Sequence, residues 1–137
     1  MDRTRGLIAL MLLASAAPQS ASAAISLRAS LTHGADVYPD PVNRGYYYLK
    51  YPPRAPGSSP FQIMYQAGSN FIGIELLKTP LGRSRKLAEQ TLMHKLRMSP
   101  REMCRLSYQI SAPNSVSQSY AGEDLRFSFC PDAVHVK

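Results

Sequence analysis

Cys104 and Cys130 are the two cysteines of this 137-residue chain, and they frame the chemistry open to it. The second opens the run CPDAVH, which sets Asp132 and His135 within a few positions of Cys130. A cysteine beside a histidine can act as a thiolate nucleophile, because a nearby imidazolium lowers the thiol pKa. His94, Cys104, Cys130 and His135 could instead serve as metal ligands, although none has the close Cys-x-x-Cys or His-x-x-x-His spacing of common zinc sites. The third possibility is that the two cysteines bond to each other. The redox compartment weighs among these, and the N-terminus speaks to it.

MDRTR is basic, LIALMLLASAA from Leu7 to Ala17 is apolar, and Ala21-Ser22-Ala23 is a small-residue cleavage site. That order is the pattern of a secretory signal peptide over residues 1–23, with the mature domain spanning 24–137. The apolar run is about half the roughly 20 residues a spanning helix needs. An exported chain meets an oxidising periplasm or exterior, where two cysteines are the count for one bridge. A Cys104–Cys130 disulfide is therefore the expectation, and a small cysteine-dependent enzyme using Cys130 is the alternative. The glycine loops, G-x-S-x-G, S-x-x-K and H-E-x-x-H motifs of other chemistries do not occur. Glu75, Glu89, Glu102, Glu123, Asp124 and Asp132 are scattered, so only the fold could pair two carboxylates for acid–base work. No cofactor is expected.

Charge supplies the other functional signal. The whole chain is net +7, and loss of Asp2, Arg3 and Arg5 with a signal peptide would lower that by one. Basic residues concentrate between Arg83 and Arg105: Arg83, Arg85, Lys86, Lys95, Arg97, Arg101 and Arg105, against Glu89 and Glu102. Arg83, Lys86, Arg97, Arg101 and Arg105 are the candidate anion-binding set, with His94 on the same helix face. The plainer reading is a solvated helix face. The expected partner is an anionic envelope component or a protein, with at most peripheral membrane contact and no specific nucleic acid. A tyrosine cluster, Tyr46, Tyr47, Tyr48 and Tyr51, reads as sheet packing or as an aromatic platform for sugars or bases.

The elements that must position these residues follow from periodicity. AISLRASL alternates, with Ile25, Leu27, Ala29 and Leu31 in phase, and reads as a half-buried strand or a loose terminus. YYYLKY reads as a strand and PPRAPGSSP as an exposed loop. FQIMYQ and FIGIELL flank the turn AGSN and read as an antiparallel hairpin. The period then lengthens. Thr79 can cap and Pro80 can open a helix from about Pro80 to Arg97, buried through Leu81, Ala88, Leu92 and Leu96 and widened by Leu87 and Met93. Ser99, Pro100 and Glu102 form a capping-box pattern for a second short helix over about 99–104. LSYQIS and LRFSFC read as strands, the second with Leu125, Phe127 and Phe129 in phase and Cys130 on the opposite face. The sum is one α+β domain, a small antiparallel sheet packed by one main helix.

The C-terminal half also resembles a group of small exported bacterial proteins of uncharacterised function. In these a helix with an Ala-Glu pair leads into Cys-x-Leu, matched by Ala88, Glu89, Cys104 and Leu106. They close near Tyr-Ala-Gly-x-x-Leu-x-x-Ser-Phe-Cys-Pro, matched by Tyr120 to Gly122, Leu125 and Ser128 to Pro131. The resemblance implies a small α+β domain and a paired cysteine. It carries no known activity and does not reach the YYYLKYPP half.

Overall fold

The computed structural model describes residues 27–53 and 59–137. The signal-peptide reading and the middle of the PPRAPGSSP loop lie outside the described residues. Five strands form one sheet in the order β1 (Val37–Pro39), β2 (Tyr46–Leu49), β3 (Phe61–Gln66), β4 (Phe71–Leu76), β5 (Tyr108–Ser111). Three helical segments accompany it: α1 over 27–32, α2 (Leu81–Leu96) and α3 (Pro100–Met103). The α+β class is as the periodicity implies. The sheet, however, is mixed: β1 to β4 are antiparallel neighbours, and β5 runs parallel to β4. The reason is the connection. A hairpin reverses the chain, whereas a parallel neighbour needs a long crossover, and α2 with α3 provides it.

β3 and β4 form because their side chains alternate strictly. Phe61, Ile63 and Tyr65 are buried on β3, and Ile72, Ile74 and Leu76 on β4. Register places Ile63 opposite Ile74 and Tyr65 opposite Ile72, so one face is a continuous apolar layer. Leu49 and Ile110 extend it across β2 and β5. The hairpin turn is closed by the Tyr65 hydroxyl donating to Asn70 Oδ1 at 2.6 Å. Asn70 takes a φ of 53°, a left-handed conformation asparagine tolerates better than most residues.

α2 packs on this layer, but its entry differs from the expected one. Pro80 is itself the N-cap, extended at ψ 136°, and Thr79 caps nothing. Ser84 Oγ donates to the Lys78 carbonyl at 2.7 Å. The buried stripe is Leu81, Ser84, Arg85, Ala88, Glu89 and Leu92. Leu87 does not widen it, being among the exposed large apolar side chains. α3 has the full capping box: Glu102 N–H donates to Ser99 Oγ, and Ser99 N–H to Glu102 Oε2.

Two strand expectations fail. Residues 27–32 are helical, burying Leu27 and Leu31 and exposing Ala29. Those two leucines, four apart, fit a period of 3.6 as well as a period of 2. The LRFSFC segment is no strand either. Arg126 takes a φ of 59°, which breaks the extended course. Leu125 N–H donates to the Ile110 carbonyl at 2.7 Å, but the Ile110 N–H is taken by the Asp124 side chain at 3.0 Å. A carboxylate therefore stands where a partner strand would place a carbonyl. Leu125 and Phe127 are nevertheless fully buried, and Phe127 stacks between Tyr108 and Phe129 at ring separations of 4.0 and 5.3 Å.

A backbone without a ladder needs other partners, and α2 supplies them. Arg85 Nη1 donates to the carbonyls of Val134 at 2.8 Å, Leu125 at 3.1 Å and Arg126 at 3.4 Å. Glu89 accepts from Ser128 N–H at 2.6 Å and Ser128 Oγ at 2.7 Å. Arg85 Nε and Glu89 Oε1 lie 3.9 Å apart, both side chains buried.

This arrangement separates two accounts of the pair. Arg85→Met leaves Glu89 buried without its cation and the Arg126 and Val134 carbonyls without its donor, so urea denaturation should show a loss of about 3–5 kcal/mol. If the residues merely neutralised each other, Arg85→Met/Glu89→Leu would recover most of that loss. Because both hold the C-terminal segment, the double variant should recover little; near wild-type stability would show that the segment docks without them.

Candidate functional site

Cys104 caps the C-terminus of α3 and Cys130 sits in the docked C-terminal segment. The two form a disulfide, with Cα atoms 5.7 Å apart and a sequence separation of 26. Cys130 is buried, and the Tyr108 hydroxyl lies 3.5 Å from its sulfur while accepting the Phe127 N–H at 3.1 Å. Burial raises the pKa of that hydroxyl. The phase conflict in the strand reading disappears, since the segment turns at Arg126 and Cys130 faces inward with Phe127.

With both cysteines bonded, there is no thiol for the nucleophilic alternative. Its other members are also dispersed. Asp132 accepts from Arg126 Nε at 2.9 Å, and His135 contributes its carbonyl to the Tyr120 hydroxyl while its side chain is exposed. The metal alternative fares likewise: His94 lies exposed on α2, and no three His, Cys, Asp or Glu side chains converge as metal ligands among the described residues.

The basic run divides into two groups. Arg85 is buried on the C-terminal segment, and Lys95 Nζ donates to Asp36 Oδ1 at 2.7 Å and to the His33 carbonyl at 3.2 Å. Arg83, Lys86, Arg97, Arg101 and Arg105 are all exposed. None of the five makes a salt bridge among the described residues. Arg83, Lys86, Gln90, His94 and Arg97 follow one another at spacings of three and four, which sets them in one stripe along α2. Arg101 and Arg105 continue the positive charge into α3 and just beyond. Glu102 offsets part of it there; the Ser99 backbone and hydroxyl hold its carboxyl below the usual value, with a smaller contribution from Arg105.

The tyrosine cluster is split by the pleat. Tyr47 and Tyr51 pack against the core, Tyr51 edge-on to Phe61 at 5.4 Å. Tyr48 pairs with Met64, on the opposite face from the Leu49–Ile63 pair. There it lines a shallow depression of about 230 Å³ with Gln62, Met64, Gly73, Glu75 and Gln109.

A larger recess, about 610 Å³, lies between the end of α1 and the last turn of α2. Ser30, His33, Asp36, Met93, His94, Lys95 and Arg97 line it. Its walls are held by the Lys95–Asp36 pair. Gly34 makes that pair possible: its φ of 121° suits glycine, and a Cβ there would lie 2.8 Å from both Lys95 Nζ and Asp36 Oδ1. The sequence set His94 and Arg97 on one basic helix face, and no local pattern joined His33 to them. Sequence reasoning also missed the buried roles of Arg85 and Glu89. The signal for those two was present, since both fall beside Leu81, Ala88 and Leu92 on a helical projection.

Comparison with known protein families, with curated proteins and with solved structures returns no match. The site is therefore read from its own chemistry.

Two outcomes are expected. Cys104→Ser and Cys130→Ser should each cost about 3–4 kcal/mol, the chain-entropy value for a loop of this length, and the double variant should be no worse than either, because they share one bond. Additive losses in chemical denaturation would mean independent roles. The Lys95–Asp36 pair should show as a pH dependence. The hydrogen bond from Lys95 holds the Asp36 carboxyl below its ordinary 3.8. A depressed carboxylate contributes stability above its unfolded pKa, and that contribution is lost as pH falls through the folded value. The pair is partly exposed, so solvent screening limits it to about 0.2–1 kcal/mol. Asp36→Asn should thus unfold at lower temperature than wild type at pH 7, with the gap closing below pH 3.8; a gap constant with pH would place the effect elsewhere.

Proposed function

We propose that this protein is an exported, non-enzymatic domain that binds an anionic component of the cell envelope through the basic stripe of α2 and its continuation at α3. The observation that carries this reading is the division of the cations. Arg85 and Lys95 are held internally, whereas Arg83, Lys86, Arg97, Arg101 and Arg105 are exposed without salt bridges among the described residues. Stability alone does not require five such side chains, and together they attract phosphate or carboxylate groups regardless of ligand identity. The disulfide supports export, because such bonds persist in oxidising compartments. No helix among the described residues is long and apolar enough to cross a membrane, and contact through the stripe would be peripheral. The resemblance to small exported bacterial proteins belongs to the same proposal.

Near an anionic membrane each basic residue contributes about 1 kcal/mol. Wild type should therefore be retained on phosphatidylglycerol vesicles or heparin at low salt and released as salt rises. Arg83→Glu/Lys86→Glu should be released at lower salt, and adding Arg97→Glu should abolish retention. Equal elution of all three proteins, or retention indifferent to salt, would refute the reading.

A further inference from the structure

The recess at the end of α2 contains a histidine whose neutral tautomer is set by its neighbours. Thr32 Oγ1 donates its hydrogen to the Arg28 carbonyl at 2.7 Å. Toward His33 Nδ1, at 2.9 Å, the same hydroxyl oxygen can then only accept. The Ala29 carbonyl, 3.3 Å from Nδ1, can also only accept. Nδ1 must therefore carry the proton, and in the neutral ring Nε2 is left as a bare lone pair. Such a ring repels an oxyanion at Nε2. Protonation turns that same position into an N–H donor and adds a full positive charge.

The other groups facing the recess make this change matter. Lys95 is matched by Asp36. The end of α2 carries about half a negative charge from its unpaired carbonyls. Arg97 is left to outweigh that end charge, together with the Ser30 hydroxyl as a donor and His94 as a second ring. With both rings neutral, little net attraction remains for an anion. With both protonated, three cationic side chains beyond the matched Lys95 line one cavity.

We propose that this recess binds a sulfate or phosphate group, and that it does so mainly when His33 and His94 are protonated. The site rests on the anion-binding reading above and shares Arg97 with it, but neither Arg83 nor Lys86 lines the recess. Histidine is the side chain that ordinarily changes charge between about pH 5 and 8. Each ring that is protonated as the anion binds adds one favourable charge contact, so affinity rises as pH falls.

The test is a sulfate titration of the protein at pH 5.5 and 7.5, at constant ionic strength, followed by calorimetry and by the imidazole NMR signals. Sulfate keeps its charge over this range, so any pH dependence belongs to the protein. Affinity should be at least about tenfold higher at pH 5.5, with both the His33 and His94 signals moving. His33→Gln/His94→Gln should bind weakly and equally at the two pH values, and Arg97→Gln should bind more weakly at both. Both histidines are exposed, so the variants should keep the wild-type unfolding midpoint at pH 7.5. Equal affinity at the two pH values, unmoved imidazole signals, or pH dependence that survives the double variant would overturn the proposal. Arg83→Glu/Lys86→Glu separates the two readings: it should leave vesicles at lower salt than wild type yet bind sulfate with wild-type affinity. Phosphatidylglycerol vesicles at pH 5.5 identify the source of the group. Retention weakened by His33→Gln/His94→Gln assigns a lipid headgroup, and retention unchanged while sulfate binding falls assigns a free oxyanion.

Discussion

The structure depends most on a guanidinium group that has no surface role. From residue 124 onward the chain has no regular secondary structure, yet it supplies Leu125, Phe127, Cys130 and Val136 to the core. Burying such a segment exposes its backbone to the cost of unpaired polar groups. Arg85 meets that cost by reaching carbonyls at both ends of the segment, Leu125 and Val134, through one nitrogen. Glu89, one turn along, takes the Ser128 amide between them. The disulfide then closes the far side against α3. Sheet, helix and C-terminal segment are joined by polar contacts that an apolar helix face could not make.

That use of charge explains the surface. A helix with six basic positions between Arg83 and Arg97, counting His94, would spread positive charge around its circumference if all of them pointed outward. Arg85 is drawn in by the C-terminal segment and Lys95 by Asp36. What remains is a stripe at helical spacing, and α3 extends it. The positive surface is thus what internal pairing leaves over: of the basic residues that the sequence concentrates between Arg83 and Arg105, Arg85 and Lys95 are turned to internal partners.

How much could be read beforehand follows the same line. β3, β4 and the body of α2 were legible because a single period governs each and burial follows it residue by residue. α3 was legible because Ser99 and Glu102 act on each other locally. The segment around Phe127 alternated just as well, but two features invisible to periodicity overrode it. Arg126 adopts a left-handed conformation, and Asp124 takes the donor a ladder would have used. α1 failed for the opposite reason: two leucines four apart satisfy either period, and nothing local decided between them. The cysteine pairing was legible from the count of two; the direction of Cys130 was not, because that direction depends on the turn at Arg126.

The recess was the least legible feature, and its construction shows why. It requires Gly34 to lack a side chain, Lys95 to fold back over it, and Asp36 to receive the ammonium, across a separation of about sixty positions in sequence. No local pattern encodes such a contact. The same pairing makes the site responsive to protons: with Lys95 matched, the charge of the cavity rests on Arg97 and on the two rings. Were Lys95 unpaired, its constant charge would hold an anion at any physiological pH, and the histidines would add little. The ion pair that fixes the N-terminal segment to the end of α2 is therefore also what leaves the histidines in control of the cavity's charge.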